Sequence, residues 1–282
     1  MDTPPPHLRS PLWRRLTASL KWTRASYLLL SGLAATVFVV IVVWWPLVQS
    51  TLAYLDPSRP LWQQLDWLLL GIFAVMSLLI MGGADLKTDG LVILVGTFGG
   101  LVIESWGTQT QLWTYFTQER PPLWIIPAWP IASLAIDRLV RILQQTVPHH
   151  RRAFRLLYWG IFLSFYALML SFTWPTLDKS FTLMALLTCA LLILSPTDER
   201  LAVLTFVAGS GLGYFLERWG TTRACWVYYT KQTPPLFAVV AHGLAAVAFW
   251  RAGLLLKGAW RRYVTPRRVS ERPGLQGAGN PQ

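Results

Sequence analysis

Apolar residues in this chain fall in eight blocks, at about 27–48, 62–81, 90–106, 122–143, 154–174, 180–196, 201–218 and 235–257, with polar turns between them. Wound as helices, such blocks match a hydrocarbon core about 30 Å thick. A helix satisfies its backbone hydrogen bonds internally, which lipid cannot do for it. The pattern therefore predicts an all-α polytopic membrane bundle of about eight transmembrane helices. Composition agrees: 54% of the residues are hydrophobic and 13% charged, against about 25% charged in an ordinary soluble domain.

A second pattern is superimposed on the first. Residues 96–135 carry Gly96, Gly100, Glu104, Trp106-Gly107-Thr108, Trp113, Tyr115, Thr117, Pro121-Pro122-Leu123 and Ala128. At a constant offset of 113 residues stand Gly209, Gly213, Glu217, Trp219-Gly220-Thr221, Trp226, Tyr228, Thr230, Pro234-Pro235-Leu236 and Ala241. Self-similarity at a fixed period decides architecture before local patterning does. Four spans fall in each copy, so the second copy enters the bilayer from the same side as the first. The expected fold is two parallel four-helix repeats about a pseudo-two-fold axis along the membrane normal. The corresponding segments are 1–26 (a basic amphipathic stretch with Trp13, Leu16 and Leu20), 27–148 (first repeat), 149–258 (second repeat) and 259–282 (a basic, disordered tail).

Charge orients the bundle. With eight spans, 19 of the 25 lysines and arginines fall on one side, which the positive-inside rule makes cytoplasmic. An integral protein of a bacterial plasma (inner) membrane, with both termini inside and both Glu-x-Trp-Gly-Thr loops outside, is expected. The net charge of +12 flanks spans instead of forming a basic domain, so its partners are membrane lipids and not nucleic acid. The first apolar block is too long for a signal-peptide core. Cys189 in the sixth span and Cys225 in an outer loop read as unpaired thiols, and His149-His150 lacks further ligand spacing. Without a phosphate-binding glycine loop, a His-Glu-x-x-His or a nucleophile elbow, no metal or cofactor is expected.

Candidate chemistry lies in the repeated motif. Gly96, Gly100 and Glu104 are spaced by four, as are Gly209, Gly213 and Glu217, so each glutamate shares the close-packing face of its helix. If the two glycine faces met, Glu104 and Glu217 would adjoin, and like charges in a dry setting prepare a general acid. The alternative is that each carboxylate accepts amides of its own Trp-Gly-Thr turn and fixes the loop. Trp113, Tyr115, Trp226 and Tyr228 read as boundary aromatics or as a lid over an apolar ligand. The copies differ where His242 replaces Trp129 and Arg223 replaces Thr110. His242 lies about 10 Å down the last span, and an ionisable residue at that depth marks a functional site. One reading joins Glu217, Arg223 and His242 in an outer cluster, with Glu217, Glu104 and His242 as acid–base groups and Arg223 on an anionic or polar headgroup; the alternative is a histidine satisfied by a neighbouring helix's backbone or by Glu217. Asp85 and Asp198 read as helix caps, and Asp137 with Arg141 as a local ion pair.

Three functions fit these residues: an enzyme acting on an isoprenoid or other lipid at the outer boundary, a non-catalytic binding or transport protein for a lipid-like ligand, and a structural membrane protein. The order Gly100-x-x-x-Glu104-x-x-Gly107-x-x-Thr110, then Tyr115, then Pro122-Leu123-Trp124-Ile125-Ile126-Pro127-Ala128-Trp129 resembles the membrane-embedded carotenoid-biosynthesis proteins that include the carotenoid 1,2-hydratases. That resemblance spans some 30 residues of the first copy and, more loosely, the same stretch of the second. It implies acid-catalysed addition of water to an isoprenoid double bond, with Glu104 at the family's glutamate and Glu217 as its counterpart. The family's Gly-x-Pro-Phe-Gly run is replaced here by Gln111-Leu112-Trp113-Thr114.

Overall fold

The computed structural model describes residues 21–264; residues 1–20 of the amino-terminal amphipathic stretch, with Trp13, Leu16 and Leu20, and the tail beyond position 264, on which the expectations above also fell, lie outside them. The described residues are helical apart from one two-stranded sheet. In chain order they form α1 (Arg24–Val43), α2 (Trp45–Ala53), α3 (Leu61–Gln64), α4 (Trp67–Met81), α5 (Leu86–Gln109), β1 (Trp113–Tyr115), α6 (Ala128–Thr146), α7 (Arg151–Thr173), α8 (Ser180–Leu194), α9 (Glu199–Thr222), β2 (Trp226–Tyr228) and α10 (Leu236–Val264).

Among the described residues, five helical segments are long and apolar enough to cross a membrane: Arg24–Val43, Leu86–Gln109, Leu123–Thr146, Arg151–Thr176 and Leu236–Arg262. Helices α4 and α8 have 15 residues each, about 22 Å at 1.5 Å per residue, short of the full hydrocarbon thickness. Helix α9 has the length, 24 residues, and is the central element: it packs on α4, α6, α7 and α10, leaving Val207, Tyr214 and Phe215 exposed on its remaining face.

Local signals set the helix starts. Asp85 accepts the Lys87 amide at 3.1 Å and Asp198 the Leu201 amide at 2.9 Å, so both cap as expected. Asp66 caps α4 through Leu69 at 3.1 Å; the block read as one span over 62–81 therefore begins with the separate turn α3. The first block also divides, at Trp44, because Pro46 opens α2 and a proline ring cannot sit inside a continuous helix. At the other end α10 runs on to Val264, beyond the boundary drawn for the tail at 259. Arg261 and Arg262 lie in its last turn, where cations favour the helix dipole.

Elements recur at the 113-residue spacing: α4 with α8, α5 with α9, and β1 with β2 have matching bounds. Left-handed backbone at Gln111 and Gln118 recurs at Ala224 and Lys231, and cis peptide bonds at Arg120–Pro121 and Thr233–Pro234 correspond as well. The strands pair with each other, antiparallel, in the register Trp113↔Tyr228, Thr114↔Val227 and Tyr115↔Trp226. The central pair, Thr114 and Val227, is itself a pair of equivalent positions.

Candidate functional site

The site is built at the carboxyl-terminal ends of α5 and α9. Glu104 and Glu217 are buried, at 3% and 4% exposure, and each carboxylate is held by three ring side chains. Glu104 Oε2 accepts the Trp113 indole N–H at 3.1 Å; its Oε1 accepts the Tyr115 hydroxyl at 2.9 Å and the Trp129 indole N–H at 3.1 Å. Glu217 Oε2 accepts Trp226 at 2.9 Å, while its Oε1 accepts Tyr228 at 2.9 Å and lies 3.0 Å from His242 Nε2. Burying an ionised carboxylate without such partners would cost many kcal/mol; these contacts replace the lost water.

Glycines make that encirclement possible. A Cβ on Gly107 or Gly220 would fall inside the indole of Trp113 or Trp226, so the residue three past each glutamate must be bare for the ring to lie down. Four residues before each glutamate, Gly100 seats Trp129 and Gly213 seats His242 in the same way. The motif Gly-x-x-x-Glu-x-x-Gly is thus a carboxylate between two ring seats. This corrects the expectation that the glycine faces meet one another. Gly96 lies against Pro130 and Ser133, and Gly209 against His242 and Gly243, so each face receives the helix that follows its own loop. It also corrects the loop-fixing alternative: side-chain donors from the strand and the next helix, not amides of the Trp-Gly-Thr turn, fill the carboxylates.

The two cages adjoin through their rings. Trp113 and Tyr228 lie 5.9 Å apart across the strand pair, as do Tyr115 and Trp226, and Trp129 stacks on His242 at 5.8 Å with 19° between planes. Burial and the neighbouring carboxylates hold the hydroxyls of Tyr115 and Tyr228 well above the ordinary phenol range, so both remain donors near neutral pH. An indole N–H can only donate. Around Glu104 the ring partners are therefore fixed, whereas the imidazole on Glu217 can either take up or release a proton.

The residues expected to form the outer cluster come together in two of three cases. Arg223 stands apart from Glu217: its Nε bonds Asp66 Oδ2, its Nη1 bonds Thr222 Oγ1 at 2.8 Å, and its guanidinium lies 5.8 Å over the Trp219 ring. Asp66 sits on a different helix, 157 residues away in sequence, so nothing near Arg223 announced its partner. Asp66 also accepts the Trp219 indole at 2.8 Å, and Trp44 stacks on Trp219 at 5.6 Å. Neither Asp66 nor Trp44 stood out in the sequence. Trp113, Tyr115, Trp226 and Tyr228 point into the cages instead of out over a ligand.

Both cysteines are free, and burial pushes the Cys225 thiol up to about 12. Among the described residues no group of three or more His, Cys, Asp and Glu is placed to hold a metal ion. At the other end of the bundle Arg138 and Asp89, both buried, pair at 2.6 Å, and Asp137 bridges Arg138 and the expected partner Arg141 at 2.7 Å each. Comparison with known protein families, characterised proteins and solved structures finds nothing that matches this chain.

Proposed function

We propose that the chain is an eight-span membrane protein of two parallel repeats, both termini in the cytoplasm of a bacterial cell, that acts on an isoprenoid or similar lipid at the outer boundary by acid–base chemistry. The single observation behind the chemistry is the His242–Glu217 contact at 3.0 Å, placed where the first half has the donor-only Trp129 on Glu104. Of the two equivalent cages, one can therefore exchange a proton through its ring partner. In this reading Glu217 gives a proton to one carbon of a substrate double bond, the surrounding aromatic faces shield the positive charge left on the other carbon, and water adds there while His242 takes the proton that water loses and returns it to Glu217. The resemblance to the carotenoid 1,2-hydratase group points to the same reaction class, addition of water. The equivalent positions paired at Thr114 and Val227 support the two-repeat architecture.

A second reading rests on the completeness of the cages. Every carboxylate oxygen is engaged by rings of its own half, which suits a clasp that ties each strand and the following helix to the helix bearing the glutamate, without chemistry. His242→Trp separates the two, because it would rebuild the second cage on the plan of the first. In lipid and pigment extracts from cells lacking the protein and complemented with variants, catalysis requires that Glu217→Gln and His242→Trp both abolish the change the wild type produces, by about 100-fold or more. A His242→Trp strain whose extract equals the wild type's would overturn the acid–base role and leave the clasp.

A further inference from the structure

The two halves differ at the end of the bundle away from the cages. In the first half the start of α1 and Arg138 of α6 close on the α4–α5 turn: Ser26 Oγ donates to Met81 O at 2.7 Å, Thr23 Oγ1 to Ala84 O at 3.3 Å and Arg138 Nε to Gly82 O at 3.0 Å. In the second half α7 grips the end of α8 deeper in the bundle, through Tyr158 on Ile193 O at 2.8 Å. The α8–α9 turn is left open beyond that contact, and a cavity of about 350 Å³ lies between it and the start of α7.

Three arginines line this cavity: Arg151, Arg155 and Arg200. Arg155 is neutralised by Glu199 at 3.2 Å, and Asp198 accepts the Leu201 amide at 2.9 Å. That leaves Arg151, which forms no ion pair among the described residues, and Arg200. The Arg200 guanidinium is held in place: Nη2 donates to Gln144 O at 2.8 Å and to Val147 O at 2.7 Å, and Cζ lies 5.9 Å over the Phe154 ring. Its Nε is buried and has no acceptor among the described residues. A buried donor left unpaired on a charged group is costly, and it marks the place of a missing acceptor. The first turn of α7 adds backbone donors, because its N-cap His150 supplies no side-chain acceptor and the opening amides of a helix favour an anion. Guanidinium forks match the oxygens of a phosphate.

We propose that this cavity binds a phosphate group, carried on an anionic lipid headgroup. The span Arg151–Thr176 begins at the cavity, so the arginines stand at the polar edge of the hydrocarbon layer, where basic pockets between helices hold such headgroups. Exposed leucines follow at once, Leu156 on α7 and Leu194 at the end of α8, and give an acyl tail a surface beside the charged head. From Arg200 to Glu217 along α9 is about 26 Å at 1.5 Å per residue, so this binding is independent of the chemistry in the cages.

Hydrogen exchange of the full chain in nanodiscs reads the site at the amides of residues 151–153. Three arms are compared: phosphatidylcholine discs in chloride, the same discs with inorganic phosphate at equal ionic strength, and discs containing phosphatidylglycerol in chloride. The expected result is exchange slowed about tenfold by phosphatidylglycerol and not by inorganic phosphate. Equal slowing by inorganic phosphate would assign the cavity to free phosphate and overturn the headgroup. Arg151→Gln should abolish the slowing. Arg152→Gln removes the same charge from a neighbour that does not line the cavity and should leave the slowing intact. Thr197→Glu, which sets a negative charge on the opposite wall, is the second variant should Arg151→Gln fail to accumulate. Absence of slowing in both phosphate arms, or equal loss in Arg151→Gln and Arg152→Gln, would overturn the site and leave only the attraction of a cationic surface to an anionic membrane.

Discussion

At the scale of single residues, two spacings decide this site: a glycine four before each glutamate and another three after it. Neither glycine serves backbone freedom; both sit within helices, where glycine is a poor choice. They are present because a ring must lie where a side chain would start. Replacing Gly107 with alanine would force the Trp113 indole off its seat. The expected loss is about 1–3 kcal/mol from overpacking plus about 1–3 kcal/mol for the hydrogen bond withdrawn from a buried carboxylate. Gly220→Ala should cost the same, through Trp226. Gly211→Ala is the control: its Cβ meets open space, and the gain in helix propensity is roughly 0.5–1 kcal/mol. Thermal unfolding in detergent ranks the three; a Gly107→Ala protein as stable as Gly211→Ala would show that the ring seat is not what the glycine provides.

At the scale of elements, the helices are joined by a few buried polar contacts as well as by apolar packing. Helix α5 meets α6 near its amino-terminal end through Asp89, which is fully buried, and Arg138, which also donates from Nε to Gly82 O at 3.0 Å. The equivalent of Asp89 in the second half is Ala202, and the equivalent of Arg138, Arg251, bonds Leu192 O and Ser195 Oγ. The charge pair is therefore a device of the first half only. Arg138→Met would leave the Asp89 charge buried without its partner, at a cost of about 3–5 kcal/mol, whereas Asp89→Leu combined with Arg138→Met removes both charges and should recover most of it. A double-mutant cycle in detergent reads the difference; a double variant no more stable than Arg138→Met alone would argue that packing, not the uncompensated charge, sets the loss.

At the scale of the whole molecule, the two halves meet in an exchange of contacts at the end that carries the strand pair. Asp66 at the start of α4 holds Trp219 and Arg223 at the end of α9, while Lys179, just before α8, donates to Thr110 O at the end of α5 at 3.2 Å and Trp106 donates to Thr182 of α8 at 3.3 Å. Asp66 and Lys179 occupy equivalent positions with opposite charge. The strand pair and the cages are on this same end, so one topological measurement locates all of them. With Cys189 and Cys225 replaced by alanine, a single cysteine at Gln111 should react with a membrane-impermeant maleimide added outside cells and one at Thr88 should not. The reverse pattern would put the site on the cytoplasmic side and defeat the positive-inside assignment.

Much of this was legible along the chain. The aspartate caps, the helical character of the apolar blocks and the pairing of glycine with glutamate all depend on residues within a few positions of one another, where helical geometry alone determines what is near what. The substitution of His242 for Trp129 was also visible, and both side chains carry the ring nitrogen that reaches the glutamate. What the sequence could not contain was the choice among partners far apart: Arg223 with Asp66 and not Glu217, Asp89 with Arg138, and each glycine face with its own following helix. Those depend on how helices are turned and tilted against one another, a balance struck over the entire packed bundle. Local periodicity therefore dictated the rods and their bare positions, and tertiary packing decided which rings and charges came to occupy them.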